Sequence, residues 1–375
     1  MQQLTEMDAN FLQQESARTP MHISPVIVYD QSGRKEGKVR FKEILTTFER
    51  NLHKSAIFRR KLAGGAMGLD TPYWVEDEGF DLEFHVRHLA LPKPGDWRQF
   101  CILLARLQAR GLDMKRPLWE AYVIEGLNKV QGLPENSFAI MLKIHHSAID
   151  GISGAEIITA IHSLSSEIAP PVVDTWRGES APSPWQVWSR AYVHNLQRPV
   201  KFVATVSRLV PAILRARKLS ANPVNDRRKT LTEKTRFNAR ISSNRVVDAL
   251  IMDLAEVKSM RKALHDVTIN DIVVAVIGGA LRKYLLAKGE LPESSLIAGA
   301  PVNVRSESSS DSSGNQVSLM RIDMATNIAD PEERLQAVHA SAQQSKAFSN
   351  ALGASVMMNV SEILIPQVLG WGFRV

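Results

Sequence analysis

The densest concentration of reactive side chains lies in residues 138–154, FAIMLKIHHSAIDGISG. An apolar strand there delivers two adjacent histidines, His145 and His146, with Asp150 and Gly151 close behind. Successive side chains on a strand point to opposite faces, so both imidazoles cannot enter one cleft. His146 shares parity with Phe138, Ile140, Leu142 and Ile144, whereas His145 shares it with Lys143. One imidazole can then act as a base while the other is structural. Adjacent histidines chelate a single ion poorly, and no third ligand follows at a helical spacing, so no metal is expected. Nothing resembles a nucleophile elbow, and Cys101 falls on an apolar helix face, where an inert thiol is expected.

Such groups need a scaffold, and hydrophobic periodicity outlines one. Thr5 with Asp8 three residues later marks a helix start, because each side-chain oxygen can satisfy a free amide. A strand is expected over 22–29, followed by a polar turn through Gln31, Ser32 and Gly33. Phe41, Ile44, Leu45, Phe48 and Leu52 have helical spacing, and a second amphipathic helix covers 97–111. Strands over 119–124 and 138–144 precede a helix carrying Ala155, Ile157, Ile158, Ile161 and Leu164. Further on, a strand is expected over 245–252, helices over 254–265 and 268–286, a strand over 297–304 and a helix over 331–348. Strands and helices alternate in both halves, which predicts an α/β or α+β protein of mixed sheets with flanking helices. The expected organisation is a first domain over 1–180, a basic helical linker over 181–240 and a second domain over 241–375.

Composition bounds the class. The chain has 375 residues, 44% of them hydrophobic and 23% charged, enough for two domains with real cores. One cysteine excludes an internal disulfide framework. The first residues carry Glu6 and Asp8 and no apolar stretch of a secretory signal, and no run reaches the ~20 apolar residues of a membrane span. A reducing, cytoplasmic setting is the expectation. The net charge of +7 is local: residues 190–240 hold thirteen Lys or Arg against two acids, leaving −4 for the remainder. Trp185, Trp188, Tyr192, Phe202 and Leu209 lie in or just before that stretch, as in helices that rest on a membrane or lipid-droplet surface. No helix-turn-helix, zinc or RNA-binding pattern accompanies the charge, so nucleic acid is not an expected partner.

His146 and Asp150-Gly151 form His-x-x-x-Asp-Gly after an apolar strand, and the doubled histidine resembles the bacterial wax ester synthase/acyl-CoA:diacylglycerol acyltransferase family. Residues 4–23, LTEMDANFLQQESARTPMHI, look like that family's opening. Arg116-Pro117-Leu118-Trp119-Glu120 resembles its Pro-Leu-Trp motif, and Thr268-Ile269-Asn270-Asp271 its Asn-Asp motif. Residues 301–305 with Gly314-Asn315 fit the strand and loop that follow.

The resemblance implies two chloramphenicol-acetyltransferase-like domains with a tunnel between them, and a catalytic role for His146. It implies transfer of a long acyl chain from acyl-CoA, itself the substrate with no further cofactor, to a fatty alcohol or diacylglycerol. An alcohol attacks a thioester poorly unless a base takes its proton, which suits a neutral imidazole. His145 would support the site from within the core, and Asp150 would form a structural ion pair with Arg305. Gly151 would leave room for the pantetheine arm. Asn270, at a helix N-terminus, would stabilise the oxyanion, a role compatible with that of an ordinary N-cap, and Asp271 beside it would help bind substrate. Trp119 would line the tunnel or the core. Family members continue beyond the position of Val375 and carry an Asn-Val-Pro-Gly-Pro-like segment absent here, so a truncated second domain is expected. The alternatives are a same-superfamily enzyme acting on a soluble alcohol or amine, a carrier-protein condensation domain, and an inactive lipid-binding homologue.

Overall fold

The computed structural model describes residues 2–34, 38–64, 71–149, 153–162, 176–178, 182–183, 185–190, 192–193, 234–264, 266–303 and 317–352. Its strands are, in chain order, β1 (Gln2–Gln3), β2 (His22–Ile23), β3 (Val26–Tyr29), β4 (Arg60–Ala63), β5 (Tyr73–Glu76), β6 (Val86–Ala90), β7 (Trp119–Glu125), β8 (Phe138–His145), β9 (Ile297–Asn303) and β10 (Val317–Asp323). The largest sheet is mixed. β7 runs parallel to β6 and antiparallel to β8, whose other edge is shared by β2 and β3. A small antiparallel sheet has the order β1-β5-β4, and β9 pairs with β10 antiparallel.

The single strand expected over 22–29 is divided at Ser24-Pro25. Proline has no amide hydrogen, so the ladder lapses there, although the Pro25 carbonyl still accepts the Leu142 amide at 3.0 Å. β8 is buried along its whole length because both its faces are covered, which removes the polar alternation of a one-sided strand. Phe138, Ile140, Leu142 and Ile144 join Phe48, Phe58, Trp119 and Ile157 in one core. Ala139 and Met141 join Phe100, Leu104, Leu107 and Tyr122 in another, beneath the helix Trp97–Ala109. Cys101 is buried on that helix, and burial pushes its thiol up, as expected of an inert residue.

In the second half, the helices Leu254–Ala263, Ile269–Lys288 and Pro331–Leu352 build a core with β10 through Val257, Ile272, Met320, Ile322 and Val338. Gly278 permits a close approach: a Cβ there would sit 2.3 Å from the Met324 carbonyl oxygen. The segment 245–252 corrects an expectation, since it is not a strand. Val246 is 95% exposed, while Val247 packs on the first half and the Trp97 indole N–H donates to Asp248 at 2.8 Å. Val247 docks on a core without a ladder, whereas Leu250, Ile251 and Met252 remain exposed. β1, β4, β5, β6 and β10 went unforeseen. Four of them span two to five residues, too short for a periodic signal, and β4 and β5 are joined by Arg60–Glu76 at 2.9 Å.

Candidate active site

β8 ends at His145, and residues His146–Ala148 turn away as one 3-10 turn. Strand parity therefore stops one residue short of His146, which corrects the basis on which the two histidines were separated. They are nonetheless separated, by the turn. The His146 amide donates to the Met21 carbonyl at 2.8 Å, and its half-buried ring stacks on Phe11 with centroids 5.0 Å apart and planes 19° from parallel. Burial lowers the His146 pKa, so the imidazole is neutral at neutral pH and able to accept a proton.

His145 is 1% exposed. Its Nδ1 receives the Ser147 amide at 3.0 Å and lies 2.7 Å from the Ser147 hydroxyl. An amide can only donate, so Nδ1 is the acceptor and the ring proton sits on Nε2. Nε2 faces Glu15 Oε2 at 3.5 Å, a polar contact longer than a hydrogen bond. Burial holds this imidazole down at about 4, with His146 and His22 adding to the shift.

His22 is the cross-strand partner of His145. Its Nε2–H donates to the Gln108 carbonyl at 3.0 Å, and burial, with Lys143 beside it, holds it at about 4. Lys143 is fully buried, donates to the carbonyls of Leu107 (3.0 Å) and Arg110, and is lowered to about 8 by burial. Both side chains thus occupy carbonyls at the C-terminal end of the helix Trp97–Ala109, where a cation is favoured. Burial raises Glu15, partly offset by the Met21 amide and Lys143.

The other expected site residues fall into three groups. Trp119 is fully buried: its indole N–H donates to the Phe58 carbonyl at 3.0 Å, and His85 stacks on it at 4.7 Å. Asn270 and Asp271 open the helix Ile269–Lys288, but the N-cap is Thr268, which removes the reading of Asn270 as the cap. Asn270 occupies the second helical position and is exposed, leaving its amide available at a positive helix end. Asp271 is buried; it accepts the Thr268 amide and the His339 Nδ1–H, each at 2.9 Å. Asp150, Gly151 and Arg305 lie outside the described residues.

Sequence reasoning assigned no role to Phe11, Glu15, His22, Lys143 or His339. Phe11 and Glu15 stand four apart on a helix, a spacing that places them on one face and could have paired them. Nothing local marks His339, which reaches Asp271 across 68 positions of chain.

A family model described as the wax ester synthase/diacylglycerol acyltransferase catalytic domain matches residues 4–273, and a WS/DGAT C-terminal domain model matches residues 313–374. A Mycobacterium tuberculosis (strain H37Rv) protein carrying the name diacylglycerol O-acyltransferase is 33% identical over 364 residues, covering 95% of this chain and 69% of its own length. A second so named from the same strain is 32% identical over 376 residues, covering 99% and 79%. The solved wax ester synthase/diacylglycerol acyltransferase from Marinobacter aquaeolei VT8 superposes with a TM-score of 0.63 at 24% identity, over 99% of this chain and 77% of that one. The first condensation domain of the CDA synthetase shares the fold with a TM-score of 0.51 at 13% identity, over 94% and 74%.

Proposed function

Because the chain belongs to the wax ester synthase/diacylglycerol acyltransferase family, whose members transfer acyl groups to lipid acceptors, we propose that it moves a long acyl chain from acyl-CoA to a fatty alcohol or diacylglycerol, with His146 as general base. The observation that carries this reading is a neutral, half-buried imidazole at the end of a buried strand, on a turn whose first two amides are both bonded to the surrounding structure. His146 takes the acceptor hydroxyl proton as its oxygen attacks the thioester carbonyl. The tetrahedral oxyanion is stabilised by Asn270 at its helix N-terminus. Collapse breaks the carbon–sulfur bond, and the imidazolium returns the proton to the departing CoA thiolate. No acyl-enzyme forms. On the same reading Asp150 and Arg305, outside the described residues, would form a loop-holding ion pair and Gly151 would leave room for the pantetheine arm, with Trp119 and Asp271 supporting the substrate site.

A thiol-release assay with palmitoyl-CoA tests this, using hexadecanol, diacylglycerol or a small amine as acceptor. CoA release with the lipid acceptors, accompanied by wax ester or triacylglycerol, is the expected result. Release with the amine alone would overturn it.

Association with a cytoplasmic membrane or lipid-droplet surface belongs to the same proposal. No helix among the described residues is long and apolar enough to cross a membrane. Residues 185–190 are helical, and Trp185 (79% exposed), Trp188 (42%) and Tyr192 (68%) follow an i, i+3, i+7 pattern, with Val187 buried. The basic run beyond them lies outside the described residues, but near an anionic surface each cation contributes about 1 kcal/mol. Binding to anionic vesicles should therefore be measurable by co-sedimentation and weaken with salt. Undiminished binding after neutralising Arg215, Arg217, Lys218, Arg227, Arg228 and Lys229 together would exclude this role for the run.

A further inference from the structure

Glu15 ends the helix Glu6–Gln14, its amide donating to the Phe11 carbonyl at 3.1 Å. Two routes lead from its carboxylate to the turn that carries His146. Along the first, Oε2 accepts the Met21 amide, and the Met21 carbonyl accepts the His146 amide at 2.8 Å. Along the second, Oε2 faces the Nε2–H of His145, whose Nδ1 accepts the Ser147 amide one residue beyond His146. One turn earlier on the same helix, Phe11 supplies the ring on which His146 stacks.

We propose that Glu15 is a positioning residue for the acyl transfer: by receiving the Met21 amide, whose own carbonyl holds the His146 amide, and by facing the Nε2–H of His145, it reinforces the tautomer that the Ser147 amide selects and so holds the backbone on both sides of His146. The proposal rests on the reading of His146 as the base. Were His145 protonated on Nδ1 instead, the ring would confront the Ser147 amide donor to donor, and the turn would lose its cap. The reacting imidazole would then be less well aimed, and small misplacements of a catalytic group are costly. A Glu15 that served only to end its helix would affect stability without touching the tautomer.

The experiment uses the full chain with ¹⁵N-labelled histidine, read by NMR for the protonated ring nitrogen, together with kcat and KM for palmitoyl-CoA. In the unaltered protein His145 should carry its proton on Nε2. Glu15→Ala should weaken the preference of His145 for the Nε2 proton and lower kcat by on the order of 10- to 100-fold with KM unchanged. Glu15→Gln, whose amide oxygen can still accept the Met21 amide and face the Nε2–H of His145, should recover the tautomer and most of the lost rate. A proton on Nδ1 of His145 in the unaltered protein overturns the proposal, and that measurement decides even if Glu15→Ala fails to fold. A loss in Glu15→Gln equal to that in Glu15→Ala overturns it too, as does a rise in KM at constant kcat. His146→Ala, measured in parallel, tests the base itself: its retained activity would remove the base without altering the His145 tautomer.

Discussion

Replacing His146 by alanine should lower turnover by on the order of 10² to 10⁴-fold, the usual contribution of a general base, while the fold and acyl-CoA binding persist. The ring is half-buried, follows the end of the strand and, among the described residues, stacks on Phe11, so its removal opens little of the core. His145→Ala should behave in the opposite order. It deletes a fully buried ring and the acceptor for the Ser147 amide, and losing a side-chain cap alone costs about 1 kcal/mol. Initial rates paired with thermal melts of the two variants separate the roles. A fully folded but inactive His145→Ala alongside an active His146→Ala would reverse the assignment.

Acidification should unfold the protein well before ordinary carboxylates are all protonated. His22 and His145 are both held at about 4 in the folded chain by burial, against about 6.5 when unfolded. The unfolded chain therefore takes up protons that the folded chain refuses, with His85 and His146, lowered in the same direction by burial, adding to the effect, and stability present above pH 6.5 is lost as the pH falls toward 4. For His22 and His145 each shift corresponds to about 3 kcal/mol at the acid end, a large share of a total stability of roughly 5–15 kcal/mol. Lys143, lowered to about 8, stays charged in both states throughout this window and adds no slope there. Glu15, raised by burial, works in the opposite sense as its carboxyl takes up a proton at the acid end. Chemical denaturation at pH 7, 6 and 5 should show a steadily falling midpoint, and His22→Gln should make the slope shallower. A midpoint that does not change between pH 7 and 5 would contradict the burial of two neutral imidazoles.

The legible parts of the fold were those whose information is local. Thr5 and Asp8 announce the first helix because a side-chain oxygen three residues from a free amide is a purely local bond, and the structure contains it. The Trp97–Ala109 and Ile269–Lys288 helices follow from periodicity over three or more turns. β7 and β8 follow from apolar runs that only a strand covered on both faces would need. The segment 245–252 misled because its apolar residues read as a buried strand, whereas Val247 packs against a core while Val246, Leu250, Ile251 and Met252 stay exposed.

Of the candidate site, the sequence by itself determined the reactive inventory: a buried strand ending in His145 and His146, Asp150 and Gly151 after it, and Asn270 and Asp271 opening a distant helix. Their types and spacings are properties of the covalent chain. Only the tertiary structure decided the division of labour. That His145 is the acceptor for a turn, with its proton aimed at Glu15, and that His146 stacks on Phe11, depends on the first helix lying across the end of β8, over 130 residues along the chain. The same holds for Lys143 and His22, which fill carbonyls of a helix end some 35 and 86 positions away. Tautomer, desolvation and ring orientation are set by what surrounds a group, and those surroundings exist only once the chain has folded.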